Sequence, residues 1–156
     1  MTTPTPKFSR LQACQKFVEN IRHSRELGIE VLDAEADFVV ARLPWQEKLV
    51  GNPETGVIHG GAVFAFLDQV GGLANACRLY PDFELTPTID FRVDHLHAPE
   101  AGSSVLARAE CYRLSQHVAF VRLEAWQEGA QDNPVAMALA TYMRMKIPTS
   151  QGAARS

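Results

Sequence analysis

Apolar residues recur at two different periods along this chain, and each change of period marks an element. Between Phe8 and Leu27, apolar groups at Phe8, Leu11, Cys14, Val18 and Ile21 fall three or four apart, which predicts one amphipathic helix stopped by Gly28. From Ile29 to Leu43 the pattern shortens. Ile29 and Val31, then Phe38, Val39 and Val40, predict two strands with a turn near Ala34–Asp37. Pro44 ends the second strand because it has no N–H to give a ladder, and Trp45 to Val50 reads as connecting loop.

The stretch from Gly51 to Tyr80 stands apart. A polar, turn-rich loop ends in His59-Gly60-Gly61 and passes into a helix that begins near Gly60. Wrapped at 100° per residue, Val63, Phe64, Leu67, Val70 and Ala74 cover one side, and Phe66, Leu73, Ala76 and Cys77 cover much of the rest. A helix apolar nearly all round is buried on most sides. Asp68, Gly71, Gly72 and Asn75 fall at i, i+3, i+4 and i+7 and so share one narrow, small, polar face. Such a face admits close approach by a second backbone, a ligand, or both. The Asp, Gln69, Asn75 and the glycines mark residues 57–77 as a buried core helix, not a membrane span.

The remainder predicts strands. Over Thr86–Val93, Ile89, Phe91 and Val93 alternate with Asp90, Arg92 and Asp94. Gly102 turns the chain. Val105–Leu114 and Val118–Gln127 flank a short Ser115-Gln116-His117 connection, which predicts a hairpin. After an Asp132-Asn133-Pro134 turn, Val135–Lys146 alternates once more, and Pro148 stops it. Strands in such a run, joined by short turns, form an antiparallel sheet with one face to bury. Only the 60–77 helix is apolar enough to bury it. The expected class is therefore α+β, an antiparallel sheet wrapped around a long central helix.

Composition narrows the function. At 156 residues, 46% hydrophobic and 21% charged, the chain suits one soluble domain. A formal charge of −3 argues against a general nucleic-acid binder. Cys14, Cys77 and Cys111 form neither a disulfide framework nor a Cys-x-x-Cys site, which fits a reducing, cytoplasmic setting. No secretory or membrane segment is expected, and Met1–Pro6 and Thr149–Ser156 read as polar, mobile ends. His95-x-His97 places two imidazoles on one strand face, but no third residue has ligand spacing, so no metal is expected. Dinucleotide, P-loop and G-x-S-x-G signatures do not occur.

Asn52, Gly56, His59, Gly60, Gly61, an Asp68 nine residues after the His, and Gly72 together resemble the hotdog-fold acyl-CoA thioesterases, in particular the branch similar to phenylacetic-acid-pathway (PaaI-like) enzymes. Thr88-Ile89-Asp90-Phe91-Arg92-Val93-Asp94 resembles the strand that follows the helix in that family. The likeness covers roughly residues 28–146, so residues 28–148 are expected to form the hotdog domain, with 1–27 as an N-terminal helix and tail and 149–156 as a polar tail. Asn52 stands seven residues before the His, where the family commonly has six, and the residues after the strand (Leu96-His97-Ala98-Pro99) and at the hairpin turn also depart from its pattern.

Thioester hydrolysis needs an activated water or nucleophile and a donor for the developing oxyanion. The free N–H groups and partial positive charge of a helix N-terminus suit the second task. Gly60, with Gly61, is therefore the candidate oxyanion donor; tight helix entry alone also explains the glycines. Asp68 is the candidate base or nucleophile, with burial expected to raise its pKa; the alternative is a buried Asp bonded to backbone amides. Asn52 either holds water or carbonyl or makes turn chemistry. His59 orients the loop. The resemblance implies that Thr88 holds the water near Asp68, and that Gly61, Gly72, Arg92, Arg113, Ser115, Gln116 and His117 meet substrate, with Arg122 a further candidate for coenzyme A phosphates. No separate cofactor is expected, since coenzyme A is part of the substrate. Asp68 lies eight residues past Gly60, about 12 Å along the helix, so it cannot serve a carbonyl held at its own helix start. An antiparallel second copy could bring its Asp68 there. A homodimer with shared sites is expected, paired further into tetramers in many relatives, with a non-catalytic acyl-CoA-binding protein as the alternative function.

Overall fold

A computed structural model describes residues 7–146; the two predicted mobile ends and Pro148 lie outside the described residues. The elements run α1 (Arg10–Asn20), α2 (Arg22–Leu27), β1 (Glu30–Ala34), β2 (Phe38–Leu43), a short 3-10 turn (Glu47–Leu49), α3 (Gly60–Leu79), β3 (Glu84–Leu85), β4 (Thr88–His95), β5 (Val105–Leu114), β6 (Val118–Gln127), β7 (Pro134–Met143) and β8 (Met145–Lys146). Six strands form one antiparallel sheet in the order β1-β2-β5-β6-β7-β4, and β3 pairs with β8 beside it. The sheet curls around α3, as the pattern predicts.

The packing between them depends on size. Ala107, Ala109, Ala119, Ala125, Ala136, Ala138 and Ala140 are all buried on the inner face of the sheet. Side chains this small let α3 lie close, so Phe66, Leu67, Val70, Leu73, Ala74 and Cys77 are sealed from water. Along β7 the bulk lies on the other side: Met137, Leu139 and Met143 point outward and are about half exposed.

The structure corrects three expectations. The N-terminal helix is two helices, because Ile21 is extended (φ −90°, ψ 112°) and breaks the ladder between α1 and α2. Ser9 caps α1 in a reciprocal box with Gln12, and Gly28 ends α2 at φ 71°. The last strand is likewise interrupted at Arg144, whose amide donates to His117 O (2.8 Å) and whose guanidinium pairs with Glu84 at 2.8 Å. This turns Met145 and Lys146 onto β3.

The third correction bears on the site. Alternation predicts Ile89 on the same face as Phe91 and Val93. In the sheet, Thr88 pairs with Tyr142, Phe91 with Ala140 and Val93 with Ala138, with a register shift between Thr88 and Asp90. Directly paired residues share a face. The extra residue therefore turns Thr88 inward toward α3 and leaves Ile89 outward and 53% exposed.

Candidate functional site

The start of α3 is built from its loop. His59 donates its amide to Leu49 O (2.8 Å), and Val50 bridges to Ile58, which pins the loop below the helix. His59 is the N-cap, and its Nδ1 accepts the Gly61 amide at 2.9 Å. The imidazole thus caps the helix, and it uses the Gly61 amide that had been a second candidate oxyanion donor. The Gly60 amide has no acceptor among the described residues. Gly60 is exposed beside a cavity of about 310 Å³ lined by Ile58, Val63, His95, Pro99 and Val135. One N–H at the positive end of a twenty-residue helix is thus available to a ligand.

Asp68 lies two turns further on, half-buried and not enclosed as expected. Thr88 donates its hydroxyl to Asp68 Oδ1 at 2.8 Å. The buried Tyr142 hydroxyl, 3.0 Å from the Asp68 carbonyl oxygen, also reaches Oδ1 at 3.4 Å. Burial pushes the Tyr142 phenol well up from its ordinary value, and the Asp68 charge adds to the effect, so Tyr142 stays a donor. Oδ2 accepts no hydrogen bond among the described residues. The carboxylate opens on a cleft of about 330 Å³ whose walls include Gln69, Gly72, Thr88 and Tyr142 together with apolar groups from α1, β3 and β8.

The face shared by Asp68, Gly71, Gly72 and Asn75 does not stay open along its length. A Cβ on Gly71 would stand 2.1 Å from the Tyr142 hydroxyl, so the close approach there is made by the chain's own tyrosine. Asn75 is fully buried, with both amide atoms unpartnered among the described residues. A Cβ on Gly72 meets nothing within 4 Å, so Gly72 alone leaves room in the cleft.

The other predicted residues are scattered. Asn52 is exposed, and its Oδ1 accepts the Glu54 amide (3.0 Å), which is turn chemistry. Ser115 exchanges hydrogen bonds with Val118 and closes the hairpin (hydroxyl to Val118 O, 2.8 Å). Gln116 and His117 are exposed at its tip. Arg113 lies over the Phe120 ring at 5.9 Å. Arg92 pairs with Asp94 and Arg122 with Glu110 on the outer sheet face, away from both ends of the site. Among the described residues, no group of three or more His, Cys, Asp or Glu could hold a metal ion, and no helix is long and apolar enough to cross a membrane.

Sequence reasoning missed Tyr142 and the bulge. A lone tyrosine continuing an alanine row, opposite a helix with a Gly-Gly step, was the available signal for the first. No residue type marks the second.

An antiparallel sheet wrapped around one long central helix is the architecture of the hotdog fold. The comparisons agree. Residues 55–132 match the model of the thioesterase superfamily. The chain is 30% identical over 141 residues to the medium/long-chain acyl-CoA thioesterase YigI of Escherichia coli K12, covering 83% of this chain and 89% of that one. A solved protein of Pseudomonas aeruginosa superposes with a TM-score of 0.79 at 37% identity, over 88% of this chain and all of the other. The PaaI protein of the Escherichia coli phenylacetic acid degradation operon shares the fold, with a TM-score of 0.75 at 18% identity over 87% of this chain and 93% of that one. The chain belongs to the thioesterase superfamily.

Proposed function

We propose that the protein hydrolyses acyl-CoA thioesters, in a site made by Asp68 of one copy and Gly60 of another. Asp68 Oδ2 takes a proton from water, and the hydroxide adds to the thioester carbonyl carbon. The Gly60 N–H stabilises the oxyanion. The C–S bond then breaks, and the proton passes from Asp68 to the departing thiolate, giving a carboxylic acid and coenzyme A. The observation that carries this reading is a carboxylate that lines the cleft while its Oδ1 is held by the Thr88 hydroxyl at 2.8 Å, with the Tyr142 hydroxyl nearby at 3.4 Å. The named relative's substrates support the acyl-CoA class.

The two-copy site rests on helix length, since about 12 Å separates the two groups along α3. Among the described residues, strand β4 forms one edge of the sheet beside β7, with Ile89 in it and Leu96 just past its end about half exposed, a ready surface for a second copy. At the hairpin, Arg113, Gln116 and His117 are exposed and are assigned to the coenzyme A end. The reading needs no cofactor beyond the substrate and suits a reducing cytoplasm.

The test is thiol release from purified protein. Asp68→Asn is expected to lose about 10²–10⁴-fold in kcat. A native rate in that variant would remove Asp68 from the mechanism. Mixing inactive Asp68→Ala chains with inactive Gly60→Pro chains should restore about a quarter of native activity, because half of randomly paired dimers hold one intact site of two. No recovery after confirmed subunit exchange would place both groups in one copy.

A further inference from the structure

The cleft at Asp68 is walled by a part of the chain outside the family match. Phe17 of α1 and Ile21 at the α1–α2 break line it, facing Leu85 of β3, Pro87 and Met145 of β8. The sequence pattern assigns α1 only a packing role. Its buried stripe, Cys14 and Val18, does pack. Phe17 and Ile21 stand beside that stripe and are only half-buried, and across the cleft Leu85 is 52% and Met145 45% exposed. Apolar groups from separate elements thus meet around one carboxylate. Leaving them wet is unfavourable, at about 25 cal/mol per Å² of apolar surface.

The wall is held in place. Arg10 Nε donates to the Cys77 carbonyl at 3.1 Å, the Cys14 and Cys77 sulfurs touch at 3.4 Å, and the Tyr80 hydroxyl donates to Phe8 O at 2.6 Å. Opposite, the Arg144–Glu84 pair fixes β3 against the hairpin. A cleft between two braced walls has a set width and depth.

Resting on the thioesterase reading, we infer that Phe17 and Ile21 are specificity-determining residues: they form the wall against which the aliphatic acyl tail lies, and their bulk sets the chain length accepted. The occupant is an aliphatic chain because Phe17, Ile21, Leu85, Pro87 and Met145 make an apolar wall beside the polar groups of Asp68, Gln69, the two threonines and Tyr142, while coenzyme A carries its charge at the other end. The volume of about 330 Å³ sits at the small end of ligand pockets.

The test is kcat/KM across straight-chain acyl-CoAs of increasing length for the native protein and for Phe17→Ala, Phe17→Leu, Ile21→Ala and Ile21→Phe, with thermal melts to confirm folding. The ratio of long-chain to short-chain kcat/KM should rise about tenfold in the alanine variants and fall about tenfold in Ile21→Phe, the scale of a methylene or two in an apolar pocket. Unchanged ratios in folded variants would overturn the inference. Binding of non-hydrolysable acyl-CoA thioethers of the same lengths, followed by calorimetry, keeps the two readings apart. If the native chain releases no thiol, the thioesterase reading fails, and the same length shift in binding would still support the wall. A binding series blind to Phe17 and Ile21 would sink it.

Discussion

The two ends of the site are made by opposite means, although one helix carries both. At the start of α3, backbone does the work: His59 takes the Gly61 amide and leaves the Gly60 amide bare. At Asp68, side chains from β4 and β7 converge on one carboxylate oxygen. The first end depends on local sequence, a cap followed by two glycines. The second depends on long-range register, since Thr88 faces Asp68 only because of the bulge. Donors fixed by backbone cost little to hold in place, whereas the hydroxyl clamp exists only while sheet and helix are docked.

That difference can be broken from either side. At the helix start, the largest effect should come from Gly60→Pro. Proline is well tolerated at the first position of a helix, and the extended His59 (φ −63°, ψ 137°) suits the residue before it. The substitution removes the N–H and puts a ring methylene in its place, so kcat should fall about 10²–10³-fold with little change in melting temperature. An unaffected kcat would show that this amide stabilises no oxyanion.

Next in size is the contrast between adjacent glycines. Gly71→Ala drives a methyl into the Tyr142 hydroxyl and should cost about 2 kcal/mol in denaturant titration, with loss of activity. Gly72→Ala meets open space and should gain about 1 kcal/mol from helix propensity. Equal effects at both positions would contradict the notch described for Tyr142.

Acid probes the wall near Asp68. The Arg144 guanidinium holds the Glu84 carboxyl below its ordinary value of 4.5, despite partial burial. A carboxylate with a depressed folded-state pKa contributes stability that is present above the unfolded value and is lost as pH falls through the folded one. Arg144→Met should therefore cost about 1.5 kcal/mol near neutrality. The gap between native and variant should close as pH drops below 4.5. A gap that widened in acid would refute the assignment. Smallest is Thr88→Val, which removes one hydrogen bond to Oδ1 and should lower kcat about fivefold, about 1 kcal/mol, while leaving KM unchanged.

What was legible in the sequence follows the same division. Periodicity located α3 and the long strands, because each buries a continuous face. The His59-Gly60-Gly61 end was legible because its chemistry is local. The Asp68 end was half legible: the carboxylate stood out, and the resemblance pointed to Thr88. Tyr142 was hidden, because its role depends on which strand lies beside Gly71. Ile21 and Arg144, which break their elements, have ordinary propensities and are set by tertiary contacts. The carboxylate partners of Arg92 and Arg122, Asp94 and Glu110, were not legible, because cross-strand register sets the second pair and side-chain geometry the first.

The alanine lining of the sheet carries a consequence for how the protein can vary. Thr88, Tyr142 and Asp68 meet across the gap between two layers, so the proposed mechanism makes the thickness of that gap a catalytic dimension. Enlarging Ala138 or Ala140 by even a methylene would act like a shim, lifting helix from sheet and separating hydroxyls from carboxylate. Under the proposed mechanism, positions without any chemistry of their own would then matter to turnover, whereas Met137 and Leu139 stand on the outer face, away from that gap.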